Sequence, residues 1–575
     1  MKILIEGHSY PKARIEEICG NFEKSEGDII KVSKVGYFFN RNLENGVGDC
    51  VLCLPKVIKD VGKETYLGGL AAEDLIDAFS TDTLDDTPRE FIRSFSLWAY
   101  RTISTYARLN PNSSIVTKAD STTLSESSEA QWGTLMDVIL AIIEFYNRNR
   151  DYFMYVIKNL HSGYNRINWR KTISKKTPFL QNGSPLYIEV INRKKQINFD
   201  EELMVIFHSI RHYISYNLGI GVNVECNYDL ITGPQFETYM DGYGERRLLA
   251  IKYKYFSDKD LQLWKLCFAF FQKTSRIKSA DDNTDYLLIG SFNTVFEAMI
   301  DAIIGDPELS DIKALDDGKI IDHIFSHNSP IDGKKIYYIG DSKYYAIGAE
   351  IGDTSIYKQF TYAKNIIQYH FNGKLAETGY RDSDTEGYNF IPNFFISAMI
   401  PDSYTYESKE IKPHKDKDGK EDSIHRISHF ENRLFDRDTL WLTHYDINLL
   451  YVMMLYARDD SSEQGRFKEE FKAKVYEAFC NLLNQKYRFF VVKPDLGDLD
   501  DFIKEHFKAL NGKIYFIQDE GLVLALEKGC ECKDIEIDEE SNLLIECKRV
   551  GTVTRRNFFG IPANRANDTI GDLMP

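Results

Sequence analysis

The stretch of sequence that decides the fold runs from Gly318 to Tyr345 and reads GKIIDHIFSHNSPIDGKKIYYIGDSKYY. Its two apolar runs are separated by a Pro, Asp and Gly turn signal, a pattern typical of strand, turn, strand. Asp322 falls in the first run, and Asp341 and Lys343 fall at the end of the second. Because side chains alternate along a strand, Asp341 and Lys343 point to the same face. The sequence therefore predicts two carboxylates and one ammonium group on neighbouring strands.

Helical patterns flank this pair of strands on both sides. Upstream, NTVFEAMIDAIIGD predicts an amphipathic helix that carries Glu297. Downstream, SIYKQFTYAKNIIQYHF predicts a helix on which Gln359 and Tyr362, three residues apart, share a face. Helix, two strands, helix is a coherent unit.

The residue types at this position suit the hydrolysis of a phosphodiester. Such a reaction needs a hard cation that neutralises developing negative charge and lowers the pKa of the attacking water. Carboxylates such as Asp322 and Asp341, with Glu297 as a further ligand, can hold Mg²⁺ or Mn²⁺ through oxygen atoms. A neighbouring Lys343 can orient the water and stabilise the transition state. We therefore expect a metal-dependent active site here.

This arrangement resembles the PD-(D/E)xK nuclease superfamily. In that resemblance Asp322 is the first acid, Asp341 to Lys343 form the (D/E)xK element, and Glu297 and Gln359 occupy the accessory helix positions. The resemblance implies a restriction-endonuclease-like core, a mixed β-sheet flanked by helices, within a multidomain α/β chain that is α+β overall. It departs at Ile321, which stands where the superfamily motif has proline.

A second string with the same outline lies near the C-terminus. The segment DIEIDEESNLLIECKRV supplies Asp538, Glu546 and Lys548, and it forms a competing candidate site. Only 27 residues follow Lys548, and they show no helix or strand pattern that would complete a core. A charged β-hairpin is the alternative interpretation of this segment.

Composition limits the classes of protein to which the chain can belong. At 575 residues, 43% of them hydrophobic, it is expected to form several globular domains. The start MKILIEGHSY lacks the pattern of a secretory signal, and no long apolar run predicts a membrane span. We therefore expect a cytoplasmic protein that does not bind to or cross a membrane. Cys50 and Cys53 are interpreted as part of a buried strand, with half of a zinc site as the alternative.

Changes of pattern along the chain predict four regions. Residues 1–110 form an N-terminal α+β domain, and a Ser- and Thr-rich linker follows. Residues 130–275 are mainly helical, and residues 276–480 form the nuclease domain, interrupted by an exposed charged loop at 401–428. Residues 481–575 form a β-rich C-terminal segment.

The helical region contains a basic insertion mixed with aromatic residues. Cations beside aromatic faces suit a nucleic-acid backbone and unstacked bases, whereas a solvated loop anchored by a buried Trp is the alternative. The net charge of −16 argues against a protein that coats nucleic acid by bulk electrostatics, so such local basic strips, or a partner, would have to deliver DNA. The candidate DNA-binding residues are Arg166, Trp169, Arg170, Lys171, Lys175 and Lys176.

The wider chain resembles the LlaJI-type restriction endonucleases, which are relatives of the McrC nuclease subunit. The resemblance rests on the order of GDCVLCLPKVI, RINWRKTI, FEAMID, DHIF, GDSKYY and DTLWLTHYDIN along residues 1 to about 480. It implies an anti-phage restriction system in which a separate McrB-like AAA+ GTPase delivers double-stranded DNA. It also implies that the N-terminal domain docks onto that partner.

No glycine-rich phosphate loop of the Walker type occurs in the sequence, so we expect no nucleotide to bind to this chain through that motif. Two other functions remain open from the residues alone. One is a nuclease of DNA repair or of mobile elements with the same site residues. The other is a scaffold subunit that keeps the fold without the activity.

Overall fold

The computed structural model describes most of the chain in segments. The described residues are 1–19, 27–40, 49–59, 65–67, 69–78, 86–118, 133–154, 156–160, 167–196, 202–220, 224, 226, 228–279, 284–313, 320–331, 335–345, 351–372, 391–401, 403–415, 424–427, 432–436, 439–458, 460–492, 499–517, 521–530 and 544–547. They form two compact units. One comprises residues 1–54 and 71–290, and the other comprises residues 55–70 and 291–575. The predicted mixture of α and β structure is confirmed in both.

The first unit contains eleven described strands and ten described α-helices. The strands are β1 (Lys2–Ile5), β2 (Ser9–Pro11), β3 (Ile29–Lys31), β4 (Val35–Asn40), β5 (Asp49–Leu54), β6 (Val116–Lys118), β7 (Val156–Leu160), β8 (Phe179–Gln181), β9 (Ser184–Leu186), β10 (Asn192–Gln196) and β11 (Thr284–Ile289). The helices are α1 (Lys12–Cys19), α2 (Ala72–Asp77), α3 (Asp86–Leu109), α4 (Leu135–Arg148), α5 (Arg150–Met154), α6 (Trp169–Lys175), α7 (Glu202–Tyr216), α8 (Gly233–Thr238), α9 (Gly244–Ile251) and α10 (Asp258–Ser279).

The main sheet of the first unit has the strand order β1-β5-β4-β11-β6. β1 runs parallel to β5, and the other pairs are antiparallel. Cys50 and Cys53 lie in β5 and are buried, as the strand interpretation predicts. β11 lies within the predicted range 276–480, yet it pairs with strands from the first 118 residues. The two predicted segments 1–110 and 130–275 thus contribute to one unit.

Polar side chains hold the helical part of this unit to its sheet. Thr134 and Asp137 form a capping box at the start of α4, which satisfies backbone N–H groups that have no partner within the helix. The buried carboxylate of Asp285, from β11, accepts a further hydrogen bond from the backbone N–H of Leu135 at 2.7 Å. The first turn of α4 is therefore fixed to β11, an inner strand of the sheet.

The second unit contains ten described strands and seven described α-helices. The strands are β12 (His323–Asn328), β13 (Lys335–Lys343), β14 (Pro392–Met399), β15 (Ile411–Pro413), β16 (Ile424–Ile427), β17 (Leu440–Asn448), β18 (Tyr487–Val492), β19 (Ile514–Ile517), β20 (Gly521–Glu527) and β21 (Leu544–Cys547). The helices are α11 (Phe292–Ile304), α12 (Ser310–Lys313), α13 (Asp353–Asn372), α14 (Leu449–Arg458), α15 (Ser461–Lys486), α16 (Leu499–Glu505) and α17 (Phe507–Leu510).

The larger sheet of the second unit has the order β12-β13-β14-β17-β15, and β16 also pairs with β17. β12 and β13 form an antiparallel pair, whereas β13, β14 and β17 run parallel to one another. The predicted exposed loop at 401–428 differs from the structure, because it contributes β15 and β16 to the far side of this sheet. Backbone hydrogen bonds to β17 stabilise these short strands in a highly charged sequence.

The two faces of this sheet are covered by different helices. On one face Ile356 of α13 packs with Phe395 and Leu442 in a buried cluster. On the other face the ring of Phe471 from α15 lies 5.8 Å from the ring of Phe394. Because residues i and i+2 of a strand share a face, Asp341 and Lys343 lie on the α13 side together with Ile339.

A second, antiparallel sheet with the order β19-β20-β18-β21 follows at the C-terminal end of this unit. Its core contains Phe490, Leu522, Leu524 and Leu526 with Leu510. The sequence predicts a β-rich segment at 481–575, and the described residues of that segment form these four strands together with α16 and α17. Among the described residues no helix is both long and apolar enough to cross a membrane.

Candidate active site

The β12-β13 hairpin brings the two predicted aspartates together. His323 pairs with Gly340 across the antiparallel strands, so Asp322 stands opposite Asp341 one step further along. The sequence predicts that Asp322 lies within the first strand, but in the structure it lies one residue before the start of β12. The backbone N–H of Ser342 donates a hydrogen bond to Asp322 Oδ2 at 3.3 Å, which fixes that carboxylate beside the neighbouring strand.

Asp341 and Lys343 form an ion pair on the same face of β13. Asp341 is 1% exposed and Lys343 is 8% exposed, so both charges are largely removed from water. The ammonium group of Lys343 also lies 5.2 Å from the ring centre of Phe395 on β14. A buried Lys that is placed against a carboxylate and an aromatic face has little freedom to move, so it is preorganised for contact with an anionic group.

The sequence interpretation missed one cation at this site, Lys358. Its Nζ lies 3.5 Å from Asp341 Oδ1 and 4.0 Å from Asp322 Oδ1. Burial lowers the pKa of Lys358, but a hydrogen bond with Tyr362 and the two carboxylates raise it overall above its ordinary value. Lys358 lies four residues before Tyr362 on the predicted helix, and residues at this spacing share a face. This spacing is the signal in the sequence that could have placed Lys358 at the site.

The pKa of the Asp322 carboxyl is raised to about 8, first by burial and then by the hydrogen bond with Asp341 and the charge of Asp341, whereas Lys358 opposes the shift. The same causes act on Glu297 from α11. Burial raises the pKa of Glu297, and the charge of Asp341 adds to the effect. The charge of Asp341 therefore disfavours ionisation of both Asp322 and Glu297, so the three carboxyl groups lie close to one another.

Gln359 is the fifth of the predicted site residues. Its side chain is fully buried, and neither atom of its amide has a hydrogen-bond partner among the described residues. Three residues further along α13, Tyr362 is 1% exposed and packs with Ile324 and Ile339 of the hairpin. A buried amide without partners costs free energy, so a ligand that accepts or donates a hydrogen bond there would relieve that cost.

Behind the hairpin, a chain of polar contacts holds Ser342, the middle residue of the Asp-Ser-Lys element. Ser342 Oγ lies 2.5 Å from His323 Nε2, and His323 Nδ1 lies 3.5 Å from Asp301 Oδ1 on α11. Asp301 in turn forms an ion pair with Lys313 at 2.6 Å. Because Ser342 points away from Asp341 and Lys343, these contacts support the site from the opposite face of β13.

The carboxylates fit a hard divalent cation. Asp322, Asp341 and Glu297 offer only oxygen atoms, which are the ligands that Mg²⁺ and Mn²⁺ prefer. A divalent ion among them would remove the mutual repulsion that raises the pKa values of Asp322 and Glu297. The donor set and its electrostatics thus agree with the predicted metal ligands.

The other predicted sites are only partly described. Arg166, Asp538 and Lys548 lie outside the described residues, and Glu546 belongs to β21, which pairs with β18. The remaining basic candidates lie on or next to α6, where Trp169 is 54% exposed and Lys176 forms an ion pair with Glu189 at 2.5 Å. The alternative interpretation, a solvated loop anchored by a buried Trp, does not fit the structure, because Trp169 is exposed.

The aromatic face of Trp169 accompanies further exposed apolar residues in the same region. Ile173 of α6, with Phe179 and Leu180 of β8, is among the exposed large hydrophobic side chains. Arg170, Lys171 and Lys175 are exposed as well. Cations and aromatic rings thus occur together on this surface, in the combination that the sequence suggested.

Comparison with protein-family models found no match, and comparisons with curated proteins and with solved structures found no significant match either.

Proposed function

We propose that this chain is a Mg²⁺-dependent DNA endonuclease of the PD-(D/E)xK type. The observation that carries the proposal is the convergence of Asp322, Asp341 and Glu297 with the buried ammonium group of Lys343. The order of elements supports it, since α11, the β12-β13 hairpin, α13 and the parallel strand β14 provide a mixed sheet with a helix on each side of the hairpin in sequence.

Each side chain has a role that its position allows. Asp322, Asp341 and Glu297 would hold the metal ion through carboxylate oxygens. The bound ion would neutralise charge on the phosphate and lower the pKa of the attacking water. Lys343 would donate a hydrogen bond to the attacking water or to a phosphate oxygen, and Lys358 would contact a second phosphate oxygen. The amide of Gln359 would orient one of these groups.

The proposed biological role is restriction of foreign DNA together with an AAA+ GTPase. It rests on the resemblance to LlaJI-type and McrC-like subunits. The strongly negative net charge supports delivery of DNA by a partner, because a chain with 87 acidic and 71 basic residues gains little from non-specific attraction to phosphates. A nuclease of repair or of mobile elements with the same site is the second candidate.

Cleavage of supercoiled plasmid DNA tests the enzymatic part of the proposal. With Mg²⁺ we expect nicked and linear products, and Lys343→Ala should lower the rate by about 100-fold or more. Lys335→Ala is the matched control, since Lys335 lies on the same strand but is exposed. If the chain is inactive alone, the assay is repeated in the presence of GTP with any AAA+ GTPase that is found to be encoded beside it.

Two outcomes contradict the proposal. If Lys343→Ala cuts as fast as the parent while Lys548→Ala is inactive, the active site lies at the C-terminal segment instead. If the parent chain cuts neither alone nor with the GTPase, and Mg²⁺ does not bind at Asp322 and Asp341, the protein is a scaffold.

A further inference from the structure

Two histidines and an aspartate form a compact group at the β15 edge of the second unit's larger sheet. They are His414, directly after β15, and His444 and Asp446 of β17. Each offers one ring nitrogen or carboxylate oxygen, and these three atoms lie within 4.8 Å of one another. The ligand atoms of a single metal ion lie about 3 to 4 Å apart when the metal–ligand bonds are near 2 Å. Small side-chain rotations would therefore bring these three atoms to the distances that an ion requires.

The local structure holds these side chains in place. His414 donates a backbone hydrogen bond to the carbonyl oxygen of His444 at 3.0 Å, which fixes the end of β15 to β17. The two imidazole rings are stacked with centres 3.8 Å apart. His414 Nδ1 lies 2.7 Å from Asp446 Oδ1, and His444 Nε2 lies 2.8 Å from Ser397 Oγ on β14. The contact with Ser397 is an outer contact of the kind that orients the ligands of protein metal sites.

This group lies on the face of the sheet that also carries Asp341 and Lys343. In the strand register Asp341 is next to Phe395, which is next to His444, and Lys343 is next to Ser397, which is next to Asp446. One strand separates the two sites, so about 10 Å lies between their backbones. They are distinct sites, because no residue is shared.

The ligand chemistry of the two sites also differs. Imidazole nitrogen is a poor ligand for Mg²⁺, whereas two His and one carboxylate are a common ligand set for Zn²⁺ and related transition metals. Three protein ligands leave at least one coordination position for water or another small ligand. A hydrogen-bonded His–Asp pair alone would need only His414 and Asp446, but here His444 stacks on that pair.

We propose that His414, His444 and Asp446 form a transition-metal site of the Zn²⁺ type, separate from the carboxylate site. The ion joins the end of β15 to β17 and keeps an open coordination position on the face that carries the nuclease residues. The proposal does not depend on the proposed nuclease function, because it concerns different ligands and a different class of metal.

Binding of Co²⁺ to the full chain, with Co²⁺ as a coloured substitute for Zn²⁺, tests the proposal. The titration is followed by visible absorption in excess Mg²⁺, which occupies the carboxylate site. We expect one equivalent of Co²⁺ to bind with the visible spectrum of a four- or five-coordinate site, and Zn²⁺ to displace it. His414→Ala and Asp446→Asn should each weaken binding by roughly tenfold or more.

His8→Gln is the matched control, because His8 forms another His–carboxylate pair, at 3.0 Å from Glu73, that belongs to no three-residue ligand group among the described residues. This variant should bind Co²⁺ as the parent does. Circular dichroism establishes that each variant is folded, and Asp341→Asn should retain the Co²⁺ spectrum.

Three results would overturn the proposal. They are no Co²⁺ spectrum in the folded parent chain, an unchanged spectrum in both His414→Ala and Asp446→Asn, or loss of the spectrum in Asp341→Asn instead, which would assign the ion to the carboxylate site. Should the ligand variants be unfolded, the parent chain is modified with diethyl pyrocarbonate, which reacts with free imidazoles. Zn²⁺ should then protect His414, as mapped by mass spectrometry, and equal modification with and without Zn²⁺ would refute the site.

Discussion

At the scale of single residues, Asp322 lies where ionisation of its carboxyl group is unfavourable in the absence of a metal ion. Its raised pKa means that the folded state binds a proton more readily than the unfolded state. Between the ordinary pKa of an aspartate and this raised value, the free energy of unfolding therefore falls as pH rises. Under the proposed function, metal binding and stability are therefore opposed at Asp322.

Asp322→Asn should stabilise the metal-free protein and prevent metal binding. The amide is uncharged, so near neutral pH the free energy of unfolding in EDTA should rise by about 1 to 3 kcal/mol. Thermal unfolding with and without Mg²⁺ measures both effects. The parent should gain stability from Mg²⁺ and the variant should gain none; a variant that is less stable than the parent in EDTA would contradict this account.

Metal binding should also depend on pH. Because Asp322 must lose its proton to act as a ligand, Mg²⁺ affinity should rise roughly tenfold for each pH unit below its raised pKa and level off above it. Calorimetry in buffers with different ionisation enthalpies counts the protons released. The parent should release protons on binding Mg²⁺ at pH 7, whereas a pH-independent affinity between pH 5.5 and 7.5, on the order of a hundredfold range in proton concentration, would refute this role for Asp322.

Lys358 has a role that its metal-free contacts suggest. Its ammonium group neutralises part of the charge on Asp341 and Asp322, so a metal ion must compete with it. Lys358→Met should therefore bind Mg²⁺ at least as tightly as the parent, yet cut DNA about 10- to 100-fold more slowly, because a phosphate contact is lost. Weaker Mg²⁺ binding in this variant would contradict the prediction. Lys364→Met, further along α13, is the control.

At the scale of secondary-structure elements, the hairpin depends on close approach between β13 and β14. A Cβ atom on Gly340 would overlap the ring of Phe394 on the neighbouring strand. The backbone before Asp341 is thus packed directly beneath an aromatic side chain, and the position of Asp341 depends on that contact.

Gly340→Ala should lower the free energy of unfolding by about 1 to 3 kcal/mol, because the ring or the strand must shift. Urea denaturation measures the change. Gly352→Ala, where a Cβ atom would meet nothing within 4 Å, is the control and should be nearly neutral. Equal effects of the two substitutions would show that packing against Phe394 is unimportant.

The elements around the site were predictable because local patterns encode them. The run between Gly318 and Tyr345 predicts both strands, and the periodicity around Glu297 and Gln359 predicts both helices. The boundary at Asp322 is one residue different, since the strand begins only where pairing with β13 begins. Partners that are distant in sequence could not be predicted in this way. His414 lies in a run that reads as a charged loop, and only its pairing with β17 brings it to His444.

At the scale of the whole molecule, the division into two units does not follow chain order. Residues 55–70 belong to the second unit although both neighbouring segments belong to the first. Within the second unit Lys56 lies 4.9 Å from the ring centre of Tyr344, next to Lys343 in sequence. Local periodicity has no information on such long-range pairings, and this is why the predicted regions and the compact units divide the chain differently.

DNA binding should depend on local basic surface despite the acidic total charge. Replacing the exposed Arg170 and Lys175 with alanine should weaken binding of a DNA duplex and reduce the slope of log affinity against log salt by about 1.8, the value for two lost phosphate contacts. Fluorescence anisotropy at several salt concentrations measures the slope. Lys252→Ala, on another part of the first unit, should leave the slope unchanged; an unchanged slope in the double variant would refute a DNA contact at α6.

The position of β11 in the first unit has a consequence for synthesis on the ribosome. β11 lies between β4 and β6, so neither of these two strands can pair with it until residue 289 has been synthesised. Until then the nascent chain exposes two strand edges with unpaired backbone groups, which readily pair with other chains. A truncated product that ends before Thr284 should aggregate, whereas one that ends after Gly290 should not. Soluble expression of the first unit alone thus depends on the six residues of β11, which lie at the C-terminal end of that unit.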